Sequence, residues 1–163
     1  MVTTDIRLAR PAEYDEVGEL TAEAYAVDGF IPAGSDYGLT LRNAADRATK
    51  AELWVAVDGT DLLGTVTFCV PGSVYGEIGR DGEGEFRMLG VSAKARGRGI
   101  GTALSQHCVD RSRELGFHRV VLSSARAMTT AHRLYERLGF TRLPERDWSP
   151  RPGIDLYAFT LDL

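Results

Sequence analysis

A chain of 163 residues with 44% hydrophobic and 26% charged residues has the make-up of an ordinary soluble globule, and one domain over residues 1–163 is expected. Its formal charge of −4 disfavours a nucleic-acid partner, because phosphates call for a basic face. No apolar run approaches the roughly 18 residues a membrane helix needs, and no signal-peptide core opens the chain, so a cytoplasmic protein with no membrane partner is expected.

In chain order, residues 6–8 read as a short strand. Pro11 suits the first turn of a helix, and Val17, Leu20 and Ala24 continue helical spacing to about Tyr25. After a break at residues 29–34, a second helix is expected over residues 35–50. The apolar runs 52–57 and 62–70 flank Asp58-Gly59-Thr60-Asp61, a strong hairpin signal. Residues 71–84 read as a loop with five glycines and the acids Glu77, Asp81 and Glu83. That is long for a hairpin connection, which marks it as functional or mobile. A fourth strand over residues 85–91 leads into the turn Arg96-Gly97-Arg98-Gly99-Ile100-Gly101. The helix that follows sets Ile100, Leu104, Cys108 and Leu115 on one side and stops at Gly116.

Residues 119–122 are a fifth strand, and strand, helix and strand in this order imply a right-handed parallel crossover. A helix over residues 130–138 stops at Gly139. Strands over 140–143 and 156–163 then enclose a loop holding Trp148, Pro150 and Pro152. The order gives one mixed α/β sheet with helices packed on it. Cys69 and Cys108 fall on separate elements and read as buried thiols. His107, His118 and His132 lack ligand spacing, so no metal is expected.

Strand, basic glycine-rich turn and helix start together suit a polyanion. The first N–H groups of a helix have no internal partner, the dipole adds partial positive charge, and glycine lets the backbone approach closely. Arg96 and Arg98 add charge-assisted hydrogen bonds. The G-x-x-x-x-G-K-[ST] phosphate loop is absent, and the bulky Leu104 occupies the third position of a dinucleotide fingerprint counted from Gly99.

The turn reads instead as R-x-x-G-x-G, which resembles the acyl-CoA pyrophosphate loop of the GNAT N-acetyltransferase family. The segment Ala131-His132-Arg133-Leu134-Tyr135-Glu136-Arg137-Leu138-Gly139-Phe140 is similar to the family's later helix, A-x-x-L-Y-E-x-L-G-F. One strand separates the two motifs, as in the family, and the resemblance covers essentially the whole chain. It implies a GNAT-like acyl-CoA N-acyltransferase fold: a mostly antiparallel central sheet, a parallel pair between the fourth and fifth strands, and flanking helices.

The resemblance implies acetyl-CoA as cosubstrate. Its pyrophosphate would lie on backbone N–H groups of Arg96, Gly97, Arg98, Gly99, Ile100, Gly101 and Thr102. Leu89, Gly90 and Val91 would form a strand bulge that holds the pantetheine arm, although Gly90 reads equally as a packing glycine. An alkyl amine of pKa ~10.4 is neutral at pH 7 in only about one molecule in ~10³, so the reaction needs a base. Glu85 resembles the family position for one. Arg87, two residues on and on the same face, would weaken it by pairing, and Glu83 and Asp81 are rivals. An exposed strand-end acid is the plain alternative for Glu85.

Tyr135 fills the family's tyrosine position, which protonates the leaving thiolate; on its helix it also reads as a core residue. Met128 stands where the family often has asparagine, which puts one cofactor contact in doubt. Tyr25, Asp28, Tyr37 and Trp148 are the candidate walls for a small-molecule or peptide amine. No cysteine sits in a recognised nucleophile setting, so direct attack in a ternary complex is expected. A non-catalytic acyl-CoA-binding regulatory module is the alternative. The sequence leaves the oligomeric state open, a homodimer included.

Overall fold

A computed structural model of the protein describes residues 4–27 and 36–163. The strands are β1 (Asp5–Leu8), β2 (Glu52–Asp58), β3 (Asp61–Cys69), β4 (Glu83–Val91), β5 (Arg119–Ala125), β6 (Thr141–Arg142), β7 (Trp148–Arg151) and β8 (Ile154–Asp162). The helices are α1 (Tyr14–Val27), α2 (Tyr37–Arg42), α3 (Ala44–Lys50), α4 (Ile100–Glu114) and α5 (Thr129–Arg137). The strands form one sheet in the order β1-β2-β3-β4-β5-β8-β6, with β7 paired to β8. Every pairing is antiparallel except β4 with β5. The expected mixed α/β sheet with a parallel central pair is therefore the fold.

Alternation along the strands sorts side chains to two faces. Leu53, Val55 and Val57 of β2 pack with Val17 and Leu20 of α1 and Ala44 of α3. Ala56, Val66, Phe68, Phe86, Val120 and Leu122 pack on the other face with Ile100, Leu104 and Cys108 of α4. Each large apolar side chain buried this way contributes on the order of 1.5–3 kcal/mol. The α4 layer covers β4 and β5 on one face, and Met88 of β4 packs with Ala22 of α1 and Leu41 of α2 on the other.

Three boundaries differ from the sequence expectation. The helix expected over 35–50 is two helices broken at Asn43, whose side chain accepts the Asp46 N–H at 3.2 Å and caps α3. An asparagine at a helix start satisfies an orphan donor, which outweighs continuation. β4 begins at Glu83 rather than Glu85, because Arg146 reaches Glu83 with two hydrogen bonds of 2.6 and 3.0 Å. The expected loop around Trp148 contains β7, which turns into β8 at Pro152-Gly153 with Gly153 at φ 84°. Pro150 within it argues against a central strand, yet a strand paired on one side only tolerates it.

Candidate active site

β4 changes partners midway. Glu83, Gly84 and Glu85 pair with Arg119, Val120 and Val121, and among the described residues β4 and β5 share no further rung. Beyond that point β4 stays on β3 and β5 stays on β8. The cause lies at Met88, whose φ of 54° is the only positive value at a non-glycine among the described residues. There the register jumps from Thr67 opposite Arg87 to Thr65 opposite Gly90, so β4 carries an extra residue. A wedge opens between the two strands, with unpaired backbone groups on both edges.

The sequence placed the bulge at Leu89, Gly90 and Val91; it is centred on Met88 and Leu89. Gly90 serves close packing. A Cβ there would come within 3.3 Å of Ala24 and Leu20, so glycine lets α1 lie against the bulged strand.

The arginine-glycine turn lies at the end of β4. Gly97 and Gly99 take φ of 77° and 78°, a region that L side chains avoid. No side chain caps α4, and the first backbone bond into it runs from the Ala103 N–H to the Gly99 carbonyl. Among the described residues, the N–H groups of Gly97 through Thr102 have no backbone acceptor. Arg96 and Arg98 are exposed and, among the described residues, have no carboxylate partner. A Cβ on Gly97 or Gly99 would meet nothing within 4 Å, so the space before these donors is open. Gly101 faces inward, where its Cβ would press Leu134 at 3.1 Å. An uncapped row of donors flanked by two free cations fits a pyrophosphate.

The wedge opens into a cavity of about 180 Å³ on the α1 side of the sheet. Tyr25 and Tyr37, Glu77 and Arg87, and Met88 all line it. Ser123, Ser124 and Ala125 supply the β5 edge, and Pro150, Arg151, Ile154 and Leu156 close it from β7 and β8. Met128 lies on the wall with its sulfur 3.8 Å from the Ser124 hydroxyl. Of the wall residues expected from sequence, Tyr25 and Tyr37 are there. Trp148 stands behind the wall and donates its indole N–H to Ser123 at 3.2 Å. Asp28 lies outside the described residues.

The acids separate into distinct settings. Glu85 is buried, and its carboxylate accepts the N–H groups of Glu77, Ile78 and Gly79 at 3.0–3.3 Å. Burial pushes its pKa up, against those hydrogen bonds and the Arg87 charge. Glu85 does not pair with Arg87; Glu77 does, with its Oε1 2.9 Å from the Arg87 Nε. Burial alone would also raise Glu83, but hydrogen bonds from Arg146 and the Arg80 N–H, and the charges of Arg146 and Arg119, hold it below its ordinary value. Asp81 is exposed in the loop. Neither Glu83, Glu85 nor Asp81 lines the cavity at the wedge; among the described residues Glu77 is its carboxylate. The sequence offered Glu77 only as one loop acid among three, and its one signal was the glycine-rich composition of the loop around it.

Tyr135 projects from α5 into the core, with ring centroids 5.9 Å from Phe86 and Phe159 and 6.1 Å from Phe140. Its hydroxyl has no hydrogen-bond partner among the described residues, and burial pushes its pKa up. The Tyr25 phenol is close enough for a charge on Tyr135 to raise its pKa, second to burial and the Tyr37 phenol. Cys69 and Cys108 are buried free thiols, and burial pushes Cys69 up to about 12, far from a nucleophilic thiolate at neutral pH.

The site thus joins a parted parallel pair of strands to an uncapped, cationic helix start. The model of the acetyltransferase (GNAT) family matches residues 15–140, and the chain belongs to that family. It is 38% identical over 104 residues to the mycothiol acetyltransferase of Geodermatophilus obscurus, covering 64% of this chain and 33% of that protein. It is 32% identical over 103 residues to human N-acetylaspartate synthetase, covering 63% of this chain and 32% of that protein. The chain thus spans about a third of the length of these curated relatives. A GNAT-family acetyltransferase from Staphylococcus aureus Mu50 superposes with a TM-score of 0.77 at 16% identity, covering 99% of both chains. The yncA protein of Salmonella typhimurium, solved with its cofactor acetyl-CoA, superposes at 0.68 and 22% identity, covering 98% of this chain and 94% of that one. These likenesses establish the fold. Among the described residues no helix is long and apolar enough to cross a membrane.

Proposed function

We propose that the protein transfers an acetyl group from acetyl-CoA to a primary amine of a small molecule or peptide, by direct attack in a ternary complex. One observation carries the reading: the free donors of residues 97–102 and the wedge between β4 and β5 lie at one end of β4, and the wedge opens into a cavity holding a carboxylate. Support also comes from the relatives, whose names describe acetyl transfer or N-acetyl products.

In this reading the backbone N–H groups of Gly97 through Thr102 bind the pyrophosphate, the Arg96 N–H being bonded to the Ala93 carbonyl, and the side chains of Arg96 and Arg98 add charge. The unpaired edge of β4 at Leu89, Gly90 and Val91 takes the pantetheine arm as a strand would. The acceptor amine enters past Tyr25 and Tyr37, with Trp148 steadying Ser123 behind it. The amine proton leaves toward the carboxylates beside β4, among them Glu85. Tyr135 protonates the departing thiolate. A thiol of pKa ~8.5 leaves tolerably unaided, so that proton is worth less than the one removed from the amine. Two buried free thiols suit a reducing cytoplasm.

The test is thiol release from acetyl-CoA across a panel of primary amines. Expected are intersecting reciprocal plots with at least one amine, and no acetyl-protein after incubation with labelled acetyl-CoA alone. Tight acetyl-CoA binding with no release for any amine would overturn catalysis in favour of a binding module. A stable acetyl-protein with parallel plots would overturn direct attack.

A further inference from the structure

We propose that Glu77 is the group that takes the amine proton, and that Glu85 is a positioning residue that holds it there through the main chain of residues 77–79. The inference rests on the acetyltransferase reading. Glu77 lines two cavities at once. The first is the acceptor cavity at the wedge. The second, of about 220 Å³, lies behind it and is walled by Cys69, Ser73, Glu83, Glu85 and glycine backbone. A polar space of that size holds water, so it connects the carboxylate to solvent away from the acceptor. Glu85 touches only this second space.

The contacts give Glu77 and Glu85 different capacities. Both Glu85 oxygens are occupied by N–H donors. Glu77 spends Oε1 on Arg87, and its Oε2 has no donor among the described residues. Arg87 is itself fixed by the Tyr75 carbonyl at 2.8 Å, so the pair is held at a set place on the cavity wall. The groups that act on Glu77 are Arg87, which favours its charged form, and Glu85, which opposes it. Tyr25, Tyr37 and Arg151 face the acceptor cavity, and Cys69 faces the second one from β3. Burial outweighs the Arg87 contribution, and Glu85 adds to burial, so Glu77 is a stronger base than an ordinary carboxylate.

The protons balance as follows. Oε2 of Glu77 takes one proton from the ammonium, and the neutral nitrogen forms the C–N bond at the thioester carbon. The C–S bond breaks, and the sulfur receives a proton from Tyr135. The second proton from nitrogen replaces the one Tyr135 gave. Glu77 releases its proton to water in the second cavity, so each turnover yields amide, thiol and one proton.

The experiment compares Glu77→Gln, Glu77→Asp and Glu85→Gln with wild type. Each variant is checked for its thermal midpoint and acetyl-CoA affinity, and the pH–rate profile is then recorded with one alkyl amine. For folded Glu77→Gln, kcat/KM at pH 7 should fall roughly 10²- to 10³-fold, and the acidic limb should give way to a rise that follows the amine itself. An acceptor whose amine is already neutral at pH 7 should lose less than about 10-fold in the same variant. Glu77→Asp should restore part of the rate. Glu85→Gln removes a neighbouring negative charge, so the acidic limb should move to lower pH while remaining present. In the free protein, carboxyl NMR titration should show one group above its ordinary 4.5 that disappears in Glu77→Gln. An active wild type whose acidic limb is unmoved in Glu77→Gln but lost in Glu85→Gln would overturn this assignment and leave the acetyltransferase reading intact. A wild type that releases no thiol with any amine would overturn that reading, and this one with it.

Discussion

The two halves of β4 are built for opposite ends. From Glu83 to Glu85 the strand is paired with β5, at Glu85 with β3 as well, and its acids are gripped by Arg146, Arg80 and the backbone of residues 77–79. From Phe86 onward it is paired on one side only, bulged at Met88, and followed by donors with nothing to bind. One continuous strand therefore carries a clamp that secures the fold and an edge left open for a ligand. Unmet backbone donors and acceptors are costly in a closed interior, so they persist here where a ligand or water can reach them.

The contrast predicts that damage to the open half removes function and spares stability. Gly99→Val puts a branched side chain at φ 78° in the space before the donors. We expect acetyl-CoA affinity to fall by at least ~10³-fold, equivalent to about 4 kcal/mol, by calorimetry. The thermal midpoint should fall by only the ~1–2 kcal/mol of a left-handed β-branched residue. Unchanged affinity in a folded variant would remove the turn from the site.

Damage to the clamp should do the reverse. Glu83→Gln leaves Arg146 buried without its carboxylate and should cost about 3 kcal/mol in denaturant unfolding, with acetyl-CoA affinity unchanged. Glu83 has a folded pKa below its ordinary 4.5, so its contribution is present above that value and is lost as pH falls through the lower folded value. The stability gap between wild type and variant should hold steady from neutral pH to about 5 and narrow below ~4.5. A gap that widens on acidification would contradict the pairing.

Tyr135 sharpens the comparison, because it packs in the core like the clamp and is the acid in the proposed reaction. Its hydroxyl has no partner among the described residues, so Tyr135→Phe should leave stability within about 0.5 kcal/mol. Under conditions where chemistry limits the rate, kcat should fall roughly 10²-fold, about 2.7 kcal/mol, with acetyl-CoA affinity held within a few-fold. Wild-type kcat in Tyr135→Phe would make it a core residue only.

Much of this was legible in the sequence, for local reasons. Alternation and turn residues marked the central strands, and the spacing of glycines and arginines marked the helix start, since those signals act within a few residues. The break at Asn43 was missed because helical spacing continues through it while a single cap decides the geometry. β7 was hidden by Pro150, which only an edge strand accommodates, and by Pro152 in the turn that follows. The bulge was assigned to the nearest glycine, yet the positive φ falls on Met88 and Gly90 is there for α1. Glu77 was the hardest to see. Its place on the cavity depends on Arg87, ten residues on, and on a loop fold set by hydrogen bonds that no side-chain pattern encodes.

The grip of Glu85 on that loop has a consequence for how such a protein can change over generations. Glu85 holds N–H groups, which every residue but proline supplies, so the grip is indifferent to the side chains at positions 77 and 78. Only Gly79 is constrained, because a Cβ there would stand 3.0 Å from the Glu85 carboxylate. A substitution at 77 can therefore alter the chemistry on the cavity wall while the backbone beneath it stays in place. The loop is a frame whose course is set by main-chain groups and not by the side chain it presents at position 77.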